Sequence, residues 1–284
     1  MTTRMMAFES PLLLFGGPYS NLRALTALRD VAQARGLAPA QVICTGDVVA
    51  YCAEPEETVA LIRDWGCHVI AGNCEEQLAA GGEDCGCGFE EGSACDLLAK
   101  GWYPFARARV SASSAAWMAT LPAALTFTLA GLRCRVVHGG VTETSRFLFA
   151  SQTAALEAEV ARAEADVVIG GHCGIPFAHT FADGRQAWIN PGVIGMPAND
   201  GTPDGWYGLL DAGGEGITFT THRLAYDAAG AAAAMRRCGH ANGYARTLIT
   251  GLWPSLDVLP PPERAATGQP LAGEKVSLRT SVAV

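Results

Sequence analysis

The sequence predicts an α/β protein with a largely parallel sheet, and three observations carry that prediction. Short β-branched runs alternate with amphipathic helical segments, an order that places helices on the faces of a sheet. Four apolar runs then end in glycine next to Asp, Asn or His: Gln41 to Asp47, His68 to Asn73, Cys134 to Gly140 and Asp166 to Gly174. Ligands gather at the carboxyl edge of such sheets, so these four ends could converge on one metal. Finally, turn signals at Ala130-Gly131 and Asp183-Gly184 add antiparallel hairpins to the alternating units.

Composition bounds the reading further. A chain of 284 residues can bury a full core, and one large domain over residues 10–259 is expected. Hydrophobic residues make up 49%, yet Gly, Pro or Arg breaks every long apolar run, so no membrane span is expected. Met1 to Ser10 lacks the basic flank and long apolar segment of a signal peptide, which points to the cytoplasm. In that compartment the ten cysteines are expected to be thiols, ligands or core filler. A net charge of −8 argues against a general grip on nucleic acid. Oligomeric state is not legible.

The elements follow in order. Pro11 to Phe15 reads as a buried strand, and Ser20 or Asn21 can cap a helix with Leu22, Leu25, Leu28 and Ala32 on one face. A strand over Gln41 to Thr45 precedes a helix opened by Pro55 and closed by Gly66, and a third strand runs from His68 to Ala71. Residues from about 76 to 121 form a helical, Cys-rich insertion over the crevice. Strand signals return at Leu125 to Leu129 and Cys134 to Val137, before a helix over Thr153 to Ala163 and the Val167 strand. Phe177 to Phe181 pairs with Gln186 to Ile189, and Trp206 to Leu210 pairs with Ile217 to Thr221. A helix over Ala228 to Arg237 completes the domain, and the turn-rich stretch 260–284 reads as a disordered tail.

The order Gly46-Asp47, Gly72-Asn73-Cys74, His138-Gly139, Gly171-His172 and Asn190-Pro191-Gly192 resembles the calcineurin-like metallophosphoesterase family over about Leu12 to Tyr226. It is most similar to the small bacterial phosphodiesterase branch. Alternation alone would give one doubly wound sheet; the resemblance implies a four-layer α/β/β/α sandwich with the metals at its end. It also implies Asp47, Asn73, His138 and His172 as the ligands of the second metal. The family's first metal takes an Asp-x-His pair and a second His, and those positions hold Gly17, Tyr19 and Gly174.

The inference is one divalent transition metal, Mn²⁺, Zn²⁺, Fe²⁺ or Ni²⁺, acting as a Lewis acid on a phosphoryl oxygen. Tyr19 and Cys173 stand where first-site ligands would be, as substitute ligands, substrate contacts or, for Tyr19, space filler. Cys74 occupies the place of the family's histidine acid near the leaving group, although a thiol suits that task poorly. Asp47 and Asn73 have helix capping as their alternative role. Cys85, Cys87 and Cys95 are candidates for a separate thiolate site, against plain unpaired thiols in a tight loop. Arg146 is a candidate phosphate contact, against a surface ion pair.

Two functions fit these residues. One is a hydrolase, a phosphatase or phosphodiesterase of a small phosphate mono- or diester. The other is a protein of the same fold that binds a phosphorylated ligand or partner without cleaving it.

Overall fold

The computed structural model describes residues 2–240 and 243–280. Two six-stranded sheets pack face to face. One contains β1 (Thr3–Met5), β5 (Ala124–Leu129), β6 (Leu132–Val136), β7 (Val167–Ile169), β9 (Ala187–Asn190) and β8 (Phe177–Thr180), in that spatial order. The other runs β12 (Lys275–Arg279), β11 (Gly216–Leu224), β10 (Gly205–Gly213), β2 (Leu12–Phe15), β3 (Val42–Cys44), β4 (His68–Val69).

The apolar run at β2 shows why a single doubly wound sheet is the wrong arrangement. Leu12 and Leu14 point into the core between the sheets, where they meet Val136, Val167 and Ile169. Leu13 and Phe15 point the other way, under α1 (Leu22–Ala34) and α2 (Pro55–Trp65). A strand buried on both faces is uniformly apolar whether helices or a second sheet cover it, so alternation alone leaves the two cases alike. The hairpins decide between them. β5 pairs antiparallel with β6, and β10 with β11 and β2, so each sheet has an antiparallel part and its own βα units. On the far face of the first sheet, α6 (Thr153–Ala163) packs over Val168 and Trp188, giving helix, sheet, sheet and helix layers.

Local signals place the helices as expected. Asn21 caps α1 by accepting from the Ala24 amide at 3.2 Å, and Gly66 ends α2 in the left-handed conformation. The region from 73 to 118 contains α3 (Asn73–Ala80), α4 (Ala94–Arg107) and α5 (Ala112–Met118), and α4 buries Trp102 and Tyr103. No helix among the described residues is long and apolar enough to cross a membrane.

The stretch expected as a disordered tail is ordered through residue 280. α7 (Ala228–Arg237), α8 (Gly243–Thr250) and α9 (Pro261–Ala265) precede β12, which pairs antiparallel with β11 as a sheet edge. Proline-rich, polar composition hid this because the segment is fastened by contacts remote in sequence. Asp200, 1% exposed, accepts from Arg223 Nη2 at 2.6 Å, Thr202 Oγ1 at 2.8 Å and the Leu271 amide at 3.1 Å.

Burial raises the Asp200 carboxyl, but these hydrogen bonds outweigh it and hold the pKa below the usual value. Asp200→Ala is therefore expected to cost about 1–3 kcal/mol in urea unfolding at neutral pH. A depressed folded pKa means the contribution is present above the unfolded value and lost as pH falls through the folded one. The gap between the two proteins should begin to narrow below about pH 4 and go on narrowing as the pH falls further.

Candidate metal centre

The end of a strand, or the turn that follows it, delivers each of the four residues. Asp47 follows β3, Asn73 opens α3 after β4, His138 follows β6 and His172 follows β7, so both sheets contribute. All four are buried. Close approach of the first two loops depends on Gly72, where a Cβ would stand 2.4 Å from Asp47 Oδ1.

Hydrogen bonds fix the orientation of the ligands. His138 Nδ1 lies 2.6 Å from the Thr45 carbonyl, which can only accept, so Nδ1 carries the hydrogen and Nε2 presents a lone pair. Asn73 Nδ2 donates to the Cys85 carbonyl at 2.8 Å, which turns Oδ1 toward His138 Nε2 at 3.1 Å. His138 Nε2 also lies 3.2 Å from Asp47 Oδ2 and 3.0 Å from His172 Nδ1. The ligand atoms of Asp47, His138 and His172 all fall within 4.8 Å of one another.

A carboxylate oxygen, an amide oxygen and two imidazole nitrogens thus face one another, and each can present a lone pair. A proton satisfies two of them; a divalent cation satisfies the whole set, so the residues present fit a metal. Asn73 is the first residue of α3, whose N-cap is Gly72, and Asp47 Oδ1 accepts from the Cys74 amide in that first turn at 3.3 Å.

The electrostatics divide the two imidazoles. Burial pushes the His172 pKa down to about 3, with His138 acting the same way, so it is neutral as a ligand must be. For His138, burial lowers the pKa but the Asp47 carboxylate and the Thr45 carbonyl outweigh it and raise the value, so a cation at Nε2 would replace a proton. For Asp47, burial raises the carboxyl, but the adjacent His138 reverses the shift and leaves it ionised.

The first-site positions are filled differently. The Tyr19 ring lies across Gly17, so that a Cβ on Gly17 would sit 2.4 Å from Cζ. Tyr19 therefore takes up the space that side chains at both positions would share. Its backbone is left-handed at φ 53°, and its N–H donates to the Asp47 carbonyl at 3.2 Å. Cys173 accepts from Asn190 Nδ2 at 3.1 Å, and burial pushes its thiol up to about 12. Tyr19, Cys173 and Gly174 line a cavity of about 60 Å³ that opens on His172, closed by Tyr51, Phe147, Met196, Tyr244 and Trp253.

Other candidates stand differently. Cys74 is 1% exposed and outside the cavity wall, but it adjoins the cluster: its amide donates to Asp47 Oδ1 at 3.3 Å, and Asn73 Nδ2 lies 3.6 Å from its Sγ. Cys85 and Cys87 are disulfide-bonded to each other, and Cys95 bonds instead with Ser255, so these three do not form a thiolate site. Arg146 pairs with buried Glu159 at 2.7 Å, which removes it as a free phosphate contact.

Two glutamates that sequence reading passed over organise the loops. Glu75 accepts from the Asp47, Val48 and Gly72 amides at 2.7, 2.8 and 2.9 Å, joining the two loops that carry Asp47 and Asn73. Its position three residues after the helix cap is the signal that was available. Glu159 accepts from the Val141 amide at 2.6 Å, just past His138, and from Arg146. It stands out in sequence as a carboxylate on the apolar stripe of Leu156, Val160 and Ala163. Glu75→Gln is expected to weaken metal binding roughly 10-fold to 100-fold, as removal of a ligand's supporting contact does, measured by calorimetric titration.

The family model for the calcineurin-like phosphoesterase superfamily domain matches residues 21–215. The chain belongs to that superfamily. A crystal structure of a metallophosphoesterase from Sphaerobacter thermophilus is similar with a TM-score of 0.67 and 22% identity, covering 86% of this chain and 100% of that one. A hypothetical protein from Pyrococcus horikoshii OT3 gives a TM-score of 0.68 and 16% identity, covering 87% and 100%. These likenesses bear on the fold. An uncharacterized protein of Methanocaldococcus jannaschii is 24% identical over 218 residues, which is 72% of this chain and 83% of the relative. Membership of this metal-dependent superfamily and the Asp47, His138, His172 cluster together support a phosphoesterase-type function that uses metal.

Proposed function

We propose that this calcineurin-like phosphoesterase hydrolyses a small phosphate mono- or diester with one divalent metal rather than two. The observation that carries the reading is the convergence of four acceptors at His138 Nε2 beside a first site filled by the Tyr19 ring. Asp47, Asn73, His138 and His172 would hold the metal. When bound, it supplies a Lewis acid for a phosphoryl oxygen and lowers the pKa of water.

The chain's own residues do the rest. Thr45 and Asn73's contact with Cys85 hold the ligands in one orientation, and Glu75 keeps the two loops in register. The wall beside His172 is lined by Tyr19, Phe147, Met196 and Trp253, so a substrate seated there would displace water and strengthen the charge interactions within. A second reading, binding without cleavage, is favoured by one contact: the Phe147 ring covers His172 at 4.2 Å between centroids.

The test is elemental analysis of the full chain loaded with Mn²⁺, with hydrolysis of aryl phosphate mono- and diesters before and after chelation. About one metal per chain, with turnover lost on chelation and restored by Mn²⁺, is the expected result. Two metals per chain overturns the one-metal reading. One metal without turnover leaves the binding protein.

A further inference from the structure

We propose that Tyr19 is a catalytic residue whose hydroxyl donates a hydrogen bond to a non-bridging phosphoryl oxygen of the substrate, from one of the positions that lack a first-metal ligand. This rests on the phosphoesterase reading and adds to it a donor supplied by the chain itself.

Tyr19 is 5% exposed and lines the cavity that opens on His172, and among the described residues its hydroxyl has no hydrogen-bond partner. A side chain that only filled space would need no hydroxyl there, because a phenylalanine ring packs equally well and leaves no polar atom unpaired. A phosphoryl oxygen seated in the cavity supplies the acceptor. Few other donors can meet it. Among the described residues no Lys or Arg lines the cavity, the Trp253 indole N–H donates to the Pro197 carbonyl at 2.7 Å, and Arg146 is paired with Glu159.

The ring is also held in one place. Cζ and both Cε atoms lie over Gly17, where a Cβ would stand 2.4–2.6 Å away, so the hydroxyl end of the ring takes the space beside that position. The Tyr51 ring meets it edge-on at 4.8 Å between centroids. Tyr19 N–H donates to the Asp47 carbonyl and the Tyr19 carbonyl accepts from the Cys52 amide, both at 3.2 Å, which ties Tyr19 to the loop of a candidate metal ligand. Tyr19, Ser20, Asp47 and Tyr51 all have left-handed backbone, at φ 53°, 58°, 56° and 40°. Such conformations persist only where the surroundings impose them, and they cluster at functional sites. A donor fixed in advance stabilises charge that develops on a phosphoryl oxygen without reorganising. With an ordinary phenol pKa of about 10, its proton is in place at neutral pH.

The experiment compares the Mn²⁺-loaded full chain with its Tyr19→Phe variant at pH 7. Metal content, urea unfolding and calorimetric binding of inorganic phosphate are measured beside hydrolysis of aryl phosphate esters with p-nitrophenol and with phenol as leaving group. Expected are unchanged metal content, equal or greater resistance to urea, phosphate binding at least about threefold weaker, and a kcat/KM at least about tenfold lower by the same factor for both leaving groups. Unchanged phosphate binding and kcat/KM would make the phenol a filler, and loss of metal would make it a ligand. A much larger fall for the phenyl ester would make it a proton donor to the leaving group. Each of these three results overturns the proposal. If the wild type turns over neither ester, the hydrolase reading fails, while weaker phosphate binding by Tyr19→Phe still upholds the contact. A wild type that neither hydrolyses the esters nor binds phosphate overturns both.

Discussion

His138→Ala is expected to release the metal and to lower hydrolysis by at least about 100-fold, because no other residue touches as much of the centre. Its Nε2 lies within 3.2 Å of Asp47, Asn73 and His172, and its Nδ1 is anchored on Thr45. Removing the ring takes one ligand and the group against which two others are oriented. Asp47 is then a buried carboxylate without its main partner, so the metal-free variant should also lose roughly 1–3 kcal/mol of stability. Elemental analysis, hydrolysis and urea unfolding on the same preparation separate the effects: a folded variant that keeps its metal would contradict the ligand assignment. His138→Gln offers an amide oxygen in place of the imidazole and should retain more metal than the alanine variant.

Gly17→Asp, which restores a family ligand in sequence, is expected to destabilise the chain. The new Cβ would stand 2.4–2.6 Å from the Tyr19 ring, at a backbone φ of +32° that side chains rarely adopt. Overpacking of this kind costs roughly 1–3 kcal/mol, and the backbone adds on the order of 1 kcal/mol. Shrinking the ring should relieve the clash, so Gly17→Asp with Tyr19→His is predicted to be more stable than Gly17→Asp alone, with a coupling of about 1 kcal/mol or more. That pair, carried on to Gly174→His, is the arrangement expected to take up a second metal. Urea unfolding of the four members of the cycle and metal content of the triple variant are the measurements. Additive stability effects would show that Tyr19 does not occupy the first-site space.

Much of the centre is legible in the chain because each ligand is encoded by a short local pattern. A strand that ends in Gly-Asp, Gly-Asn or Gly-His puts a short polar side chain at a sheet edge, and that depends on residues adjacent in sequence. Apart from α3, which lies in a stretch that reads as a Gly/Cys/acidic loop, the helices from α1 to α7 follow from apolar spacing and capping for the same reason. Sequence reading failed where a position is set by partners far along the chain. β1, with three exposed residues, has no apolar pattern and exists because β5 offers it an edge. Residues 260–284 read as a tail, yet Asp200 holds Leu271 and β11 pairs with β12. Arg146 carries plausible chemistry, but Glu159 captures it.

By itself, then, the sequence determined which four residues are the candidate metal ligands, and that the usual ligands of a first metal are missing, since both are matters of residue identity at the ends of local elements. Only the tertiary structure decided that the strands form two sheets rather than one, that Tyr19 lies across Gly17, and that the space beside His172 is a small apolar cavity without a cation. Those depend on which surfaces cover one another, and a strand apolar on both faces, or a tyrosine in a turn, is compatible with several coverings until long-range packing selects one.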